Sequence, residues 1–139
     1  MTTKSLTLYI DGAARGNPGP AGIGVVIFDQ EEVVLAELAE YIGETTNNVA
    51  EYRALLRGLE EALHYGADEI KVFSDSQLLV RQINGEYQVK HPNLKPLYRD
   101  ALSLIQQFPR VQISHIPREK NKRADKLANA GIDDKNKEN

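Results

Sequence analysis

The chain has 139 residues, enough for one compact domain with a buried core and too few for a second. Hydrophobic residues at 41% and charged residues at 27% are the balance of an ordinary folded protein, which excludes general disorder. The absence of cysteine excludes disulfides and thiolate metal sites, and a net charge of -3 does not mark the whole molecule as a nucleic-acid binder.

Leu6, Leu8 and Ile10 alternate with Thr7, Tyr9 and Asp11, which predicts a strand, and residues 12–20, rich in glycine and proline, read as a tight loop. Residues 23–28 and 33–42 follow as two strands joined by a polar turn at 29–32, an antiparallel meander. From Val49 the period changes. Leu55, Leu59 and Leu63 are spaced by four, with Tyr52 and Leu56 beside them, and predict an amphipathic helix that Gly66 ends. Residues 69–74 read as a short strand, 76–83 as a short helix closed by Asn84-Gly85, 90–96 as a loop, 97–108 as a helix, 111–116 as a strand and 121–132 as a last helix.

The order βββαβαααβα, with its second to fourth helices open to merging, predicts an α/β fold. Its five-stranded mixed sheet joins an antiparallel meander of strands 1 to 3 to parallel strands 4 and 5, flanked by helices. Residues 1–132 form the one domain on this reading, and 133–139, without an apolar residue, are expected to be a disordered tail. No apolar run approaches ~18 residues and residues 1–5 lack the pattern of a leader, so a cytoplasmic, free-standing protein with no membrane partner is expected.

Four acids far apart in sequence each stand where one element hands over to the next: Asp11, Glu51, Asp75 and Asp125. Each has an innocent reading. Asp11 before Gly12 suits a turn, Glu51 three residues after Asn48 suits a capping box, Asp75 suits a helix cap, and Asp125 suits a helix's positive first turn. Jointly they read differently, because ligands of α/β sheets collect at the carboxyl ends of strands. Glu51 also shares a helical face with Leu55 and Leu59, which aims it at the sheet. Converging carboxylates repel unless a cation joins them, and oxygen ligands favour hard divalent metal and phosphoryl chemistry. Arg118, Lys120, Lys122, Arg123 and Lys126 crowd around Asp125, with Lys90, His91 and Lys95 as a weaker group, so a polyanion is a fitting partner.

The motifs Tyr9-Ile-Asp-Gly12, Gly16-Asn-Pro-Gly-Pro20, Thr46-Asn-Asn-x-x-Glu51, Ser74-Asp-Ser-Gln77 and Asn121-x-x-Ala-Asp125-x-Leu-Ala128 stand in an order that resembles the type 1 ribonuclease H family. The resemblance runs from about Leu6 to Ala130. It implies a ribonuclease H-like fold in which Asp11, Glu51, Asp75 and Asp125 bind two Mg²⁺ ions, with Mn²⁺ as a substitute. The implied reaction is endonucleolytic hydrolysis of the RNA strand of an RNA/DNA hybrid, leaving 5′-phosphate and 3′-hydroxyl ends. Gly12, Asn17, Asn47, Asn48 and Gln77 match positions that touch the minor groove and the RNA strand, and Thr46 one near a DNA phosphate. For these the plain alternatives are a turn, helix caps and an exposed helix residue. A monomer without an obligate protein partner is expected.

Two departures from the family pattern stand out. Many members carry a mobile histidine before the last helix. Here His115 alternates with Val111 and Ile113 as a strand residue, and Arg118 lies nearer the turn, so Arg118 is the expected auxiliary residue. An arginine steadies a phosphate and cannot serve as a general base near neutrality. Some members also grip the hybrid with a basic helix and loop after the fourth strand. Residues 84–96 are too short and too poor in cations for that, which implies a modest, salt-sensitive grip in which Tyr87, Lys90, His91 and Lys95 substitute in part. Two alternatives remain open: a nucleic-acid-binding module of the same fold without turnover, and a nuclease that also cuts double-stranded RNA.

Overall fold

The alternation at the start of the chain sorts its residues onto two faces. Leu6, Leu8 and Ile10 are fully buried, whereas Thr7 and Tyr9 between them stay partly open. The computed structural model, which describes residues 4–134, places them in β1 (Ser5–Ala14) at the centre of a five-stranded sheet. The other strands are β2 (Gly19–Phe28), β3 (Val34–Thr45), β4 (Glu69–Ser74) and β5 (Arg110–His115), in the order β3-β2-β1-β4-β5. β1, β2 and β3 form an antiparallel meander, and β4 and β5 run parallel to β1. The predicted mixed sheet is therefore the one observed.

The helices are α1 (Asn47–Ala62), α2 (Gln77–Ile83), α3 (Lys95–Ile105) and α4 (Lys122–Asp133). α1 covers one face, burying Leu55 and Leu59 in the cluster formed by Leu8, Ile10, Val25, Ile70 and Val72. α4 covers part of the other face and lies directly on the backbone of β2. A Cβ at Gly24 would stand 2.1 Å from the Ala124 carbonyl oxygen, so only glycine admits this approach. Among the described residues no helix is long and apolar enough to cross a membrane.

Three expectations need correction. Residues 12–20 are mostly strand. The β1–β2 ladder continues through Gly12↔Ile23, Ala13↔Gly22 and Ala14↔Ala21, leaving a turn at residues 15–18. Gly12 and Gly19 serve close backbone packing, and only Gly16, at φ 104°, makes the turn. Two helices, not three, separate β4 from β5, because Gly85 turns the chain at φ 80° and the segment to Pro92 runs without helical structure. α3 opens at Lys95, with Pro96 in its first turn, where a missing N–H is harmless. Finally, Asp133, assigned to the tail, closes α4 and pairs with Arg15 at 2.7 Å. The rest of the expected tail, residues 135–139, lies outside the described residues.

Gly24→Ala is expected to destabilise the protein by about 1–3 kcal/mol, since the methyl group must displace helix backbone rather than a side chain. Urea unfolding measures it, and an unchanged midpoint would contradict the packing of α4 on β2.

Candidate metal centre

β1 and β4 are parallel neighbours in register, Ile10 opposite Ser74, so the residue after each pair is an acid at the same sheet end. These are Asp11 and Asp75. The third acid arrives on α1, whose first turn touches β1. A Cβ at Gly12 would lie 2.2 Å from the Ala50 carbonyl carbon and 2.4 Å from the Glu51 nitrogen, so the contact exists because residue 12 has none. Across it the Gly12 N–H donates to Glu51 Oε1 at 2.6 Å. Asp11 and Glu51 are left 5% and 4% exposed, and one carboxylate oxygen from each of Asp11, Glu51 and Asp75 lies within 4.8 Å of the others.

Asp125, in the first turn of α4, stands on the wall of the same cleft, about 450 Å³ in volume, and interacts with Asp11. It is not part of the three-residue cluster. The innocent readings of Glu51 and Asp75 are filled by other residues. Thr46 Oγ1 caps α1 by accepting from the Val49 N–H at 3.3 Å, and Ser76 Oγ caps α2 by accepting from the Leu79 N–H at 3.2 Å. Asp11 lies within a strand, paired with Gly24, rather than in a turn.

Burial raises the Asp11 pKa to about 10, helped by the charges of Glu51 and Asp75. Burial likewise raises Glu51 to about 8, against the opposing effect of the Gly12 N–H. Near neutrality the cluster thus retains proton in place of full charge. Its donor atoms are all carboxylate oxygens, those of Asp11 and Glu51 buried and Asp75 half-buried beside them, a mutually repelling set that fits a hard divalent cation that would neutralise it.

The remaining predicted residues fall around this cleft. Gly12, Asn47 and Arg118 line it, Arg118 in a single turn of 3₁₀ helix at Arg118–Lys120. Asn48 and Gln77 are exposed at the starts of α1 and α2. Asn17 does not point away freely: its Oδ1 accepts from the Asn47 N–H at 3.0 Å, tying the β1–β2 turn to α1. His115 is the exposed last residue of β5, opposite Ser74, and is not among the residues lining the cleft. One residue went unweighed for any role in the sequence. Asn121, 1% exposed, donates from Nδ2 to Asp75 Oδ2 at 3.1 Å. An asparagine just before a helix reads as a cap, and nothing in sequence signals that its side chain turns inward.

The family described as Reverse transcriptase-like matches residues 9–131. A "Ribonuclease H" of Pseudomonas putida is 36% identical, the match covering 95% of this chain and 96% of that protein. The chain belongs to the type 1 ribonuclease H family. The structure of LC11-RNase H1 in complex with an RNA/DNA hybrid is 51% identical, with a TM-score of 0.87 over 92% of this chain and 96% of that one. The "Bifunctional protein Rv2228c" of Mycobacterium tuberculosis is 49% identical across 92% of this chain, which spans only 35% of that protein's length. Within this ribonuclease H framework, residues 84–94 carry no inserted helix between α2 and α3, in line with a form that lacks the basic extension.

The raised pKa values carry a stability signature. In chelator, the folded chain holds protons between about pH 4.5 and 8 that the unfolded chain, with carboxyls near their ordinary 3.8 and 4.5, has lost. Stability therefore falls as pH rises through this window, by up to about 1.4 kcal/mol per pH unit for each proton held. Asp11→Asn is expected to flatten the slope and, at pH 8, to unfold at higher urea than wild type. A wild-type midpoint that is flat or rising from pH 5.5 to 8 would contradict the burial of these groups as acids.

Proposed function

We propose that this chain hydrolyses the RNA strand of RNA/DNA hybrids, with Asp11, Glu51, Asp75 and Asp125 holding a pair of Mg²⁺ ions, for which Mn²⁺ substitutes. The observation that carries the reading is the convergence of three carboxylates, two buried and one half-buried, from β1, α1 and the end of β4, within 4.8 Å in an open cleft. Bound there, the divalent cations would supply a water of lowered pKa and stabilise charge on the leaving 3′ oxygen, giving 5′-phosphate and 3′-hydroxyl ends.

The chain's own residues do the rest. Asp11 and Glu51, buried and prone to keep a proton, would hold the cation as ligands in place of that proton. Gly12 keeps α1 against β1 and leaves a side-chain-free floor beneath the substrate. Asn47, Asn48 and Gln77, exposed at two helix starts beside the cleft, offer donors and acceptors to the 2′-hydroxyls and base edges of a minor groove. Asn17 acts by fixing the Asn47 backbone, and Thr46, spent on its cap, brings the helix's positive end to a DNA phosphate. The guanidinium of Arg118 steadies a phosphate at the cleft rim, whereas His115 has no such position. The similarity to a chain solved with an RNA/DNA hybrid supports the same partner.

The test compares labelled RNA/DNA hybrid, duplex RNA and duplex DNA as substrates in Mg²⁺. The hybrid's RNA strand is expected to be cut, the duplex DNA left intact, and Asp75→Asn to lose at least ~10²-fold in rate while it still binds hybrid. Binding of hybrid without cleavage by wild type would establish the module reading instead. Equal cutting of duplex RNA would show that the 2′-hydroxyl contacts do not discriminate the second strand.

A further inference from the structure

Asn121 holds the position before α4 where an asparagine normally lends its side-chain oxygen to the helix's free N–H groups. It makes no such cap here. Instead the side chain is turned into the protein, where Nδ2 donates both to the Ile10 carbonyl oxygen at 2.8 Å and to Asp75 Oδ2 at 3.1 Å. The orientation of the amide follows from its neighbours. Both partners are acceptors, so only the NH₂ group satisfies them, and the reversed amide would set oxygen against carboxylate. Asn121 Oδ1 is then buried without a partner among the described residues. The residue thus forgoes the helix cap that Oδ1 would make and leaves that oxygen unsatisfied in order to place one NH₂ group.

That group stands at a junction. Ile10 immediately precedes Asp11 in β1, Asp75 is bonded directly, and the Asn121 carbonyl accepts the N–H of Asp125 at 3.1 Å in the first bond of α4. The residue therefore touches the chain at or next to three acids, and it ties α4 to the end of the β1–β4 ladder, where Ile10 stands opposite Ser74. The geometry points to Asn121 as a positioning residue: it orients Asp75 and registers α4 against β1, so that the carboxylates meet at the spacing a divalent cation requires. This rests on the cation-site reading above, and extends it to a residue outside the ligand set. Partners of metal ligands commonly change cation affinity or activity by roughly 10–100-fold when removed.

Two variants separate positioning from folding. Asn121→Ala removes the amide. Asn121→Ser removes its reach to Asp75 while supplying a hydroxyl well suited to cap α4, so this variant is expected to melt at or above the wild-type temperature. Mn²⁺ binding by the full chain, read by calorimetry without substrate, is expected to weaken about 10-fold or more in both variants. Cleavage of the hybrid is expected to lose kcat by a similar factor, with KM within about two-fold and partial recovery at raised Mg²⁺. Wild-type Mn²⁺ affinity in a folded Asn121→Ser protein would overturn the proposal, as would a loss of affinity that only tracks a fall in melting temperature. A wild type that binds Mn²⁺ but leaves hybrid intact would remove the nuclease reading while the affinity comparison still decides this one. A wild type that binds no Mn²⁺ would overturn both.

Discussion

A hydrogen atom in place of a side chain at Gly12 lets the first turn of α1 rest on the backbone of β1, and the rest of the site depends on that contact. It puts the Gly12 N–H against Glu51 Oε1 and drives the Glu51 carboxyl beside Asp11. Parallel pairing of β1 with β4 then supplies Asp75, and the seating of α4 on the glycine backbone of β2 supplies Asp125. Two contacts that only glycine permits, together with one parallel strand pairing, thus gather acids from β1, α1, the end of β4 and α4 at one end of the sheet.

Assembly of like charges in a buried place opposes folding, and the protein meets this in two ways. Protons are retained, as the elevated pKa values of Asp11 and Glu51 express, and neutral or positive donors surround the cluster: the Gly12 N–H, the Asn121 amide and the Arg118 guanidinium at the rim. Neither gives the carboxylates what a divalent cation would. Sites of this kind trade stability for function, and the apolar packing of α1 on the sheet, with Leu8, Ile10, Leu55 and Leu59 at its centre, supplies the stability that the cluster subtracts.

Much of this was legible in the sequence because element edges have clear signatures. The change of period at Val49, the alternation through Ile10 and the short run ending at Ser74 fixed the elements, and the acids at their ends followed. The misread parts share one cause: a residue's local habit was overruled by a contact with a distant segment. Gly12 and its neighbours suggested a loop but serve as strand beneath a helix. Asn121, to which no role was assigned from the sequence, likewise spends its amide on Asp75, 46 residues away in the chain, rather than on the helix it precedes. Thr46 and Ser76, whose capping is local, fill the capping roles open to Glu51 and Asp75 in the sequence and leave both acids free for the cleft.

The central claim is that the buried acids are held ready for a cation that displaces their proton. It is tested most directly by titrating metal-depleted protein with Mg²⁺ near pH 7 in buffers of different ionisation enthalpy, which counts the protons released by calorimetry. The account predicts saturable binding with release of about one proton or more, lost in Asp11→Asn. Binding without proton release, or none at all, would contradict it.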